Sequence, residues 1–355
     1  MVAVLRVLVK LAFLIVMLGV VLVAFAYIYL YKSSLNSPRY EQPKLVKIHR
    51  GMNFPQIVNE LHEQGVIKRT WPLHVVARFM PEVKAIKPGR YYVPSGMTTS
   101  ELLKFLCTRK QDEVKIRIAE VSYGSEVAKI IGENMDIDSA AFMKAFSDRA
   151  LLKELGIDAP NLEGYFMADT YSFPWASTAE DVIRYFVRDF RRFFNDSLQA
   201  AARKKGLTEV EVLTLASIVE SETGLASERP IVASVYLNRL RIGMPLQADP
   251  TFIYAAILAG DYDGNPNNPK HRRRDSPYNT YKYNGLPPGP IGNPSKASVL
   301  AVLYPANTDY LYFVATGDGG HRFARTSAEH AANAALYYAR RKQIRDSLKT
   351  AGQLP

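Results

Sequence analysis

Cysteine and the motifs of common cofactor sites are what this sequence lacks. Its 355 residues include one cysteine, Cys107, which excludes an internal disulfide. No metal-ligand spacing surrounds that thiol, and its neighbours Leu103, Phe105 and Leu106 predict that it belongs to the core. No zinc motif, no P-loop and no glycine-rich phosphate cradle after a strand occurs in the chain. The sequence therefore predicts neither a bound metal nor a cofactor.

Acidic residues are scarce relative to basic ones, and the formal net charge is +11. Such an excess is common in proteins that bind nucleic acids. The densest basic run, 270–274, lies among Asn, Pro and Asp residues, which favours a solvated loop; attraction to carboxylate groups or anionic lipid head groups is the alternative. The N-terminal segment argues against nucleic acid as a partner, because it predicts that the rest of the chain is exported.

That segment is a long apolar run. Leu11 to Tyr31 carries no charge and, as a helix, has the length of a bilayer's hydrocarbon core. Arg6 and Lys10 precede it, which favours a cytoplasmic N-terminus, although Lys32 makes the bias modest. A cleaved signal peptide with a site at 24–26 is the alternative. We favour an uncleaved anchor, since the run continues past that site and exceeds a usual signal sequence.

Beyond the anchor, helix-like and strand-like segments come in blocks and not in a regular βαβ rhythm, which predicts an α+β fold. Strands near Leu45–Ile48 and Tyr91–Val93 enclose two helical patterns. Thr98 and Glu101 then have the spacing of a capping box for a helix through Cys107. Hydrophobic residues at 48 % and charged residues at 22 % are globular values that argue against extensive disorder.

One glutamate stands out in the stretch 215–223, which reads Leu-Ala-Ser-Ile-Val-Glu-Ser-Glu-Thr. Glu220 closes a run of small and apolar residues with the density of a buried helix, for which Gly224 provides a stop. A carboxyl group pressed against apolar neighbours has a raised pKa and carries a proton near neutrality, as a general acid must. The alternative is a surface glutamate on an amphipathic helix.

Three polar-aromatic blocks follow Glu220. They are Asn238–Thr251, then Tyr278–Tyr281 with Gly285–Ile291, and finally Tyr310–Val314 with a Gly-Asp-Gly-Gly turn and His321–Phe323. Amides, tyrosines and a rigid Pro/Gly loop suit a groove that binds sugar hydroxyls and N-acetyl groups.

Taken in order, these motifs resemble those of the YceG-like family of endolytic murein transglycosylases. The matching parts are LASIVESET, ASERPIVASVYLNRLRIGMPLQADPT, YNTY, GLPPGPI and YFVATGDGGHRF, with LEGYF and ADTY upstream. The resemblance covers the chain from the anchor to about the last helix, and it implies a LysM-like subdomain between the two early strands. We accordingly divide the chain into 1–32 (cytoplasmic N-terminus and transmembrane anchor), 33–44 (tether), 45–109 (LysM-like subdomain), 110–157 (connecting α/β segment), 158–338 (α+β catalytic domain) and 339–355 (helix end and tail).

The resemblance implies a single catalytic carboxyl group, which we assign to Glu220. A lytic transglycosylase activates no water, because the muramic C6 hydroxyl attacks its own anomeric carbon and one carboxyl group serves as acid and then base. Glu222 points elsewhere on the helix, and Glu228 beside Arg229 indicates an ion pair. The predicted substrate-binding residues are Gln247, Asn279, Tyr281, Glu163, Asp169 and Asp249, with turn-stabilising hydrogen bonds as the alternative for the first three.

The sequence thus predicts a bacterial inner-membrane enzyme with a single span and a periplasmic catalytic domain. It would cut MurNAc-GlcNAc bonds within nascent peptidoglycan strands, leave 1,6-anhydromuramic ends and terminate elongation beside penicillin-binding synthases. Two alternatives stay open, a muramidase-type hydrolase that delivers water to the same bond and a non-catalytic peptidoglycan-binding scaffold.

Overall fold

A computed structural model describes residues 2–120 and 122–350 of the chain, so the end of the predicted tail, 351–355, lies outside the described residues. The chain divides into two compact units. The first comprises the residues up to Lys115 with Asn134–Asp136 and Ser172–Ser177, and the second comprises Ile116–Glu133, Ile137–Tyr171 and the chain from Thr178 onward. Helices and small two-stranded sheets make up both units, which confirms the α+β prediction.

The elements of the first part of the chain follow the predicted order. They are α1 (Val2–Tyr27), β1 (Lys44–Ile48), α2 (Phe54–Glu63), α3 (Trp71–Ala77), β2 (Gly89–Val93), α4 (Thr99–Thr108) and β3 (Glu113–Ile118), with a π-helical turn at Ile28–Lys32 and a 3-10 turn at Pro81–Ala85.

Helix α1 is long and apolar enough to cross a membrane, and its apolar side chains are exposed along its length. It begins at Val2, earlier than the predicted apolar run, so that Arg6 and Lys10 lie within the helix. The following π-helical turn places Leu30 in the core of the first unit. These features fit a transmembrane helix that continues into a folded unit.

Strands β1 and β2 pair antiparallel, with Val46 opposite Tyr91. The predicted capping box is present, since Thr98 and Glu101 cap α4, and Asn53 with Gln56 forms a second capping box at the start of α2. The order of strand, two helices and strand is confirmed, and the LysM-like identity of this segment stays a prediction. The prediction that Cys107 belongs to the core is wrong, because the residue is only half-buried. Its thiol donates to the Glu82 carbonyl at 3.2 Å.

The remaining elements are α5 (Gly124–Asn134), α6 (Ser139–Phe146), α7 (Arg149–Glu154), β4 (Asp169–Pro174), α8 (Ala179–Phe193), α9 (Asp196–Lys204), α10 (Glu209–Glu222), α11 (Arg229–Arg241), α12 (Asp249–Leu258), α13 (Pro269–Arg272), α14 (Lys296–Leu303), β5 (Tyr312–Ala315), β6 (His321–Ala324) and α15 (Ser327–Thr350). Strand β3 pairs with β4, and β5 pairs antiparallel with β6, with Phe313 opposite Phe323.

Helix α10 lies at the centre of the second unit. It begins with a capping box in which Thr208 and Glu211 satisfy each other's backbone N–H groups. Every residue from Val212 to Glu220 is buried, because α9, α11, α12 and α14 all pack against this helix. A helix that is apolar on all sides is a core helix, and its last turn brings two glutamates, Glu220 and Glu222, to different sides of that core.

Candidate functional site

The carboxyl group of Glu220 is buried, with only 5 % of the residue exposed, which confirms the predicted burial. Its surroundings are not the apolar ones that we predicted. Arg229 Nη2 lies 2.6 Å from Oε1, and the Ser295 backbone N–H donates to Oε2 at 2.8 Å. The Ser295 hydroxyl donates to the same oxygen at 2.5 Å. The two oxygens of this carboxyl group therefore accept three hydrogen bonds.

Arg229 is itself enclosed, with 7 % of the residue exposed, at the first position of α11. Its Nη1 donates to the Ser295 hydroxyl at 3.2 Å, and Nη2 lies 3.9 Å from Glu120. The ion pair that we predicted between Arg229 and Glu228 is absent among the described contacts, since Arg229 pairs with Glu220 instead. A buried, mutually satisfied ion pair of this kind ties α10, α11 and the start of α14 together.

Glu222 lies at the other side of the last turn of α10, half-buried. The hydroxyl of Tyr236 donates to its Oε1 at 2.6 Å. Burial raises the pKa of Glu222 to about 7, and the charge of Asp249 adds to the rise. The hydrogen bond from Tyr236 and the charge of Arg239 act in the opposite direction. A carboxyl group with a pKa near neutrality is suited to donate and accept a proton.

Two of the predicted substrate-binding residues form a pair with each other. Asp249 is exposed at the start of α12, and the Tyr281 hydroxyl donates to its Oδ1 at 2.5 Å. Burial and the carboxylate of Asp249 raise the pKa of Tyr281, and the charge of Glu222 contributes to this rise. The sequence pattern alone did not reveal this pairing.

Gln247 is the one described residue other than glycine with a positive φ, at 47°. Its backbone N–H donates to the Thr280 carbonyl at 3.2 Å, and the next N–H, of Ala248, donates to the Thr280 hydroxyl at 3.0 Å. These bonds join the segment before α12 to the YNTY turn. Because left-handed backbone in a side-chain-bearing residue costs energy and clusters at functional sites, the exposed Gln247 side chain remains a candidate for substrate contact.

Asn279 is fully buried, unlike Gln247, Asp249 and Tyr281. Its amide nitrogen donates to the carbonyls of Arg272 and Arg274 at 2.9 and 2.8 Å. Its Oδ1 accepts from the Tyr281 backbone N–H at 3.1 Å. The turn-stabilising alternative therefore describes its contacts, and direct substrate binding by Asn279 stays a prediction.

Glu163 and Asp169 lie in other surroundings. Glu163 is buried and accepts hydrogen bonds from the Gly124 N–H at 2.9 Å and the Tyr254 hydroxyl at 3.1 Å. Burial raises the pKa of Glu163 to about 8 despite these bonds. Asp169 is exposed, and the Thr170 N–H together with Lys296 lowers its pKa. The hydrogen bonds of Glu163 lie within the core, and the substrate-binding role of Glu163 and Asp169 stays a prediction.

Glu228 and His321 form a second contact near the end of α10. Glu228 accepts from the His321 N–H at 2.8 Å, its Oε2 lies 2.7 Å from His321 Nδ1, and it accepts from the Thr223 hydroxyl at 3.1 Å. Burial acts to raise the pKa of Glu228, but the bonds from His321 hold it below its ordinary value. The pair ties the β5–β6 hairpin to the segment that directly follows Glu222.

Hydrogen bonds join Asp249 to Tyr281 and the Gln247 backbone to Thr280, and Glu220 lies in an ion pair with Arg229. The sequence analysis set Glu222 aside because a spacing of two puts the glutamates on different faces of a helix. The catalytic role assigned to Glu220 stays a prediction. Among the residues that the structure describes, no three His, Cys, Asp or Glu side chains gather as metal ligands.

The comparisons with known proteins agree with one another on the family. A sequence model of the YceG-like family matches residues 46–336. A Bacillus subtilis protein named endolytic murein transglycosylase is 29 % identical over 329 residues, covering 85 % of this chain and 88 % of its own length. A Streptococcus pneumoniae protein of the same name is 29 % identical over 350 residues; the match covers 88 % of this chain but 61 % of that longer protein. A crystal structure of a YceG-like protein from Listeria monocytogenes, 29 % identical, superposes with a TM-score of 0.55 over 81 % of this chain and 97 % of its own.

Proposed function

Because the family model spans most of it, this chain belongs to the YceG-like family, and we propose that it is a membrane-anchored lytic transglycosylase that cuts murein glycan strands internally. The observation that carries the proposal is the pair of enclosed carboxyl groups in the last turn of α10, where Glu220 accepts from Ser295 and Glu222 accepts from Tyr236. The names of the curated relatives support the substrate and the reaction class.

In the proposed reaction the protonated Glu222 gives its proton to the glycosidic oxygen, and the C1–O bond breaks with its electron pair on that oxygen. The muramic C6 hydroxyl then attacks C1, and its proton passes to the Glu222 carboxylate. A 1,6-anhydro ring closes, and no water enters. Since the acid must be protonated at the outset and the pKa of Glu222 is about 7, cleavage should fall as the pH rises through about 7.

Glu220, the acid that the sequence predicts, is the rival for this role. Both of its oxygens already accept hydrogen bonds, from Arg229 and from Ser295. Glu222 has one neutral donor, the Tyr236 hydroxyl. We therefore favour Glu222 as the proton donor and propose that Glu220 holds the helix ends in place.

Purified full-length protein and its Glu222→Gln and Glu220→Gln variants, incubated with peptidoglycan sacculi, test the assignment. We expect Glu222→Gln to fold and to lose cleavage, while any loss in Glu220→Gln should accompany a loss of stability. A folded Glu222→Gln protein with wild-type activity would remove Glu222 from the mechanism. A fully stable but inactive Glu220→Gln protein would restore Glu220 as the acid.

A muramidase is the second candidate, and the position of Asp249 favours it, since hydrolases use a second carboxylate to deliver water or form a covalent intermediate. The products distinguish transglycosylation from hydrolysis. A transglycosylase releases muropeptides with 1,6-anhydro ends that carry no label from heavy-oxygen water. Labelled reducing ends as the main product would identify a hydrolase, and binding without any cleavage would indicate the scaffold.

Helix α1 supports the proposed location in the bacterial inner membrane, with the N-terminal end of the helix in the cytoplasm and the catalytic domain in the periplasm. From there the enzyme would reach nascent strands and end their elongation beside penicillin-binding synthases. Affinity capture of the full-length protein from detergent-solubilised membranes tests the partnership, and a protease-protection assay on intact spheroplasts tests the orientation.

A further inference from the structure

The residues around the end of α1 form a surface that the proposed reaction does not use. Helix α1 leads directly into the first unit, because the π-helical turn Ile28–Lys32 continues it without a break. Leu30 is buried in the core of that unit. The Tyr31 carbonyl accepts from the hydroxyl of Ser100, at the start of α4, at 3.4 Å. The end of the apolar helix is thus fixed to the fold of the first unit.

Trp71, the first residue of α3, lies against this turn. Its ring stacks on the ring of Tyr29, with 5.7 Å between the centroids and 14° between the planes. Tyr29 lies within one turn of Lys32, the first charged residue after the apolar run, so both rings lie at the level where a membrane-spanning α1 leaves the hydrocarbon. Trp71 is nevertheless 45 % exposed. Tryptophan is enriched at this level of a bilayer, because its ring is apolar and its N–H is polar.

Two short segments are joined by hydrogen bonds beside Trp71. The Asn36 side chain accepts from the Arg69 N–H at 2.9 Å and donates to the Arg69 carbonyl at 3.0 Å. The Lys68 N–H donates to the Asn36 carbonyl at 2.8 Å. Leu35, which is 65 % exposed, precedes Asn36, and Trp71 follows Arg69 by two residues. Two large apolar side chains on joined segments are therefore open to the surroundings of the fold.

The charges of these two segments are all positive. Residues 32–40 and 64–71 contain no Asp or Glu, and their four basic side chains are exposed: Lys32, Arg39, Lys68 and Arg69. Within the part of the chain that the structure describes, none of the four forms an ion pair. Glu101, at the start of α4, is held in the capping box of its own helix. Exposed apolar rings beside unpaired basic groups are complementary to anionic phospholipid head groups above a hydrocarbon layer.

The geometry points to a membrane-contact surface made of Trp71, Leu35 and these four basic residues. Trp71 and Leu35 enter the head-group region of the bilayer that α1 is proposed to cross, and the basic side chains bind the phosphates of anionic phospholipids. This inference rests on the proposed anchoring of the chain by α1. It adds that the first unit lies on the bilayer surface and does not move on a flexible linker.

The two tryptophans of the chain provide the test. Full-length Trp175→Phe protein, whose only tryptophan is Trp71, is placed in nanodiscs of phosphatidylcholine and phosphatidylglycerol in equal amounts. Phospholipids brominated close to the head group should quench the fluorescence of Trp71 more than phospholipids brominated at the chain end. Trp71→Phe is the matched control, because it reports Trp175, which is 5 % exposed and should not be quenched. If Trp175→Phe does not fold, the difference between wild type and Trp71→Phe gives the signal of Trp71.

Charge variants test the binding of head groups. Quenching is measured in nanodiscs that range from pure phosphatidylcholine to pure phosphatidylglycerol. Each basic residue near an anionic surface is worth roughly fivefold in binding, so Lys68→Gln with Arg69→Gln should weaken the contact about 25-fold. The double variant should then need a higher phosphatidylglycerol content for the same quenching of Trp71.

Arg109→Gln with Lys110→Gln is the matched control for charge. Both residues are exposed and follow α4 at its far end, roughly 15 Å along a ten-residue helix from the end that contacts Tyr31. We expect this double variant to show the same dependence on phosphatidylglycerol as the protein with Arg109 and Lys110 intact.

Three outcomes overturn the inference. Unquenched Trp71 in nanodiscs that hold the full-length protein would show that the first unit stands away from the bilayer, and would leave α1 as an anchor. Quenching that depends neither on phosphatidylglycerol nor on Lys68 and Arg69 would remove anionic head groups as the partner. Failure of the full-length protein to insert into nanodiscs would overturn the anchor and the contact surface together. Cleavage of sacculi is measured separately, so none of these results decides the proposed reaction.

Discussion

Glu220 and Glu222 are two residues apart on helix α10, and the surroundings of their carboxyl groups differ in depth, partners and charge. Glu220 is buried and bound by a guanidinium at 2.6 Å and by two donors of Ser295. Glu222 is half-buried, has the neutral Tyr236 hydroxyl as its donor and lies beside the negative Asp249. The first environment pairs the carboxyl group with a cation, and in the second environment burial raises the pKa of Glu222 to about 7.

The comparison shows that two enclosed carboxyl groups on one helix turn can have very different partners. A buried carboxylate with a paired cation contributes to the cohesion of the fold. A carboxyl group desolvated without such a cation, and next to a like charge, holds its proton to higher pH. The two glutamates illustrate both results within one helical turn, and each of the following variants tests one side of the contrast.

Glu222→Gln should have the largest effect on activity. Loss of a general acid costs roughly a hundredfold to ten-thousandfold in rate, whereas the amide keeps the shape of the side chain and a hydrogen bond with Tyr236. Release of muropeptides, measured by mass spectrometry, should fall by that factor without a change in the melting temperature. Glu133→Gln, at an exposed glutamate of α5, is the control and should behave as wild type. Unchanged release of muropeptides by the Glu222→Gln protein would show that Glu222 is not the proton donor.

Glu220→Gln should have the largest effect on stability. The substitution leaves the buried Arg229 without its anion, and breaking a buried ion pair costs on the order of 3–5 kcal/mol. Urea unfolding measures this loss, and the double variant Glu220→Gln with Arg229→Met should recover part of it by removing the unpaired charge. A Glu220→Gln protein as stable as wild type would show that the pair does not support the fold.

Tyr236→Phe should have a smaller effect, on the pH profile. The Tyr236 hydroxyl lowers the pKa of Glu222, so its removal raises that pKa and keeps the acid protonated at higher pH. The alkaline limb should move up by about one pH unit, because a hydrogen bond to a charged group is worth on the order of 1.5 kcal/mol. Initial cleavage rates between pH 5 and 9 measure it. A downward shift would show that the bond stabilises the acid form instead.

The smallest change is expected from His321→Ala. It removes the pair with Glu228 that fixes the segment following Glu222, so the site loses alignment but no reacting group. We expect a loss of a few-fold in kcat/KM, within the range of roughly 1 kcal/mol typical of partly exposed pairs. Glu228→Gln should give a similar loss, and the double variant should add little to either. Additive losses would show that the two residues act separately.

Local signals in the sequence were sufficient for most elements. The spacing of Ile57, Val58 and Leu61 predicted α2, and Thr98 with Glu101 predicted the start of α4, because caps and periodicity depend on neighbours in the chain. Cys107 was placed too deep, since its apolar neighbours do not show that it lies at the edge of the core. The long apolar run likewise predicted α1, although not that the helix starts at Val2.

The candidate site was predicted in its parts and not in its assembly. Asp249, Tyr281 and Gln247 were singled out individually, because amides, phenols and carboxylates are the groups that bind sugars. Their assembly depends on hydrogen bonds between segments about thirty residues apart, such as those of Thr280 with Gln247 and Ala248. No local pattern encodes a contact over that distance.

The sequence by itself determined the long apolar N-terminal helix, the α+β class, the family and the short stretch of α10 that carries both glutamates. Those properties follow from composition, periodicity and motif order along the chain. Only the tertiary structure decided which partners each glutamate has. The reason is that Arg229 and Ser295 reach Glu220, and Tyr236 reaches Glu222, from other elements of the fold, and no local pattern in the sequence encodes such contacts.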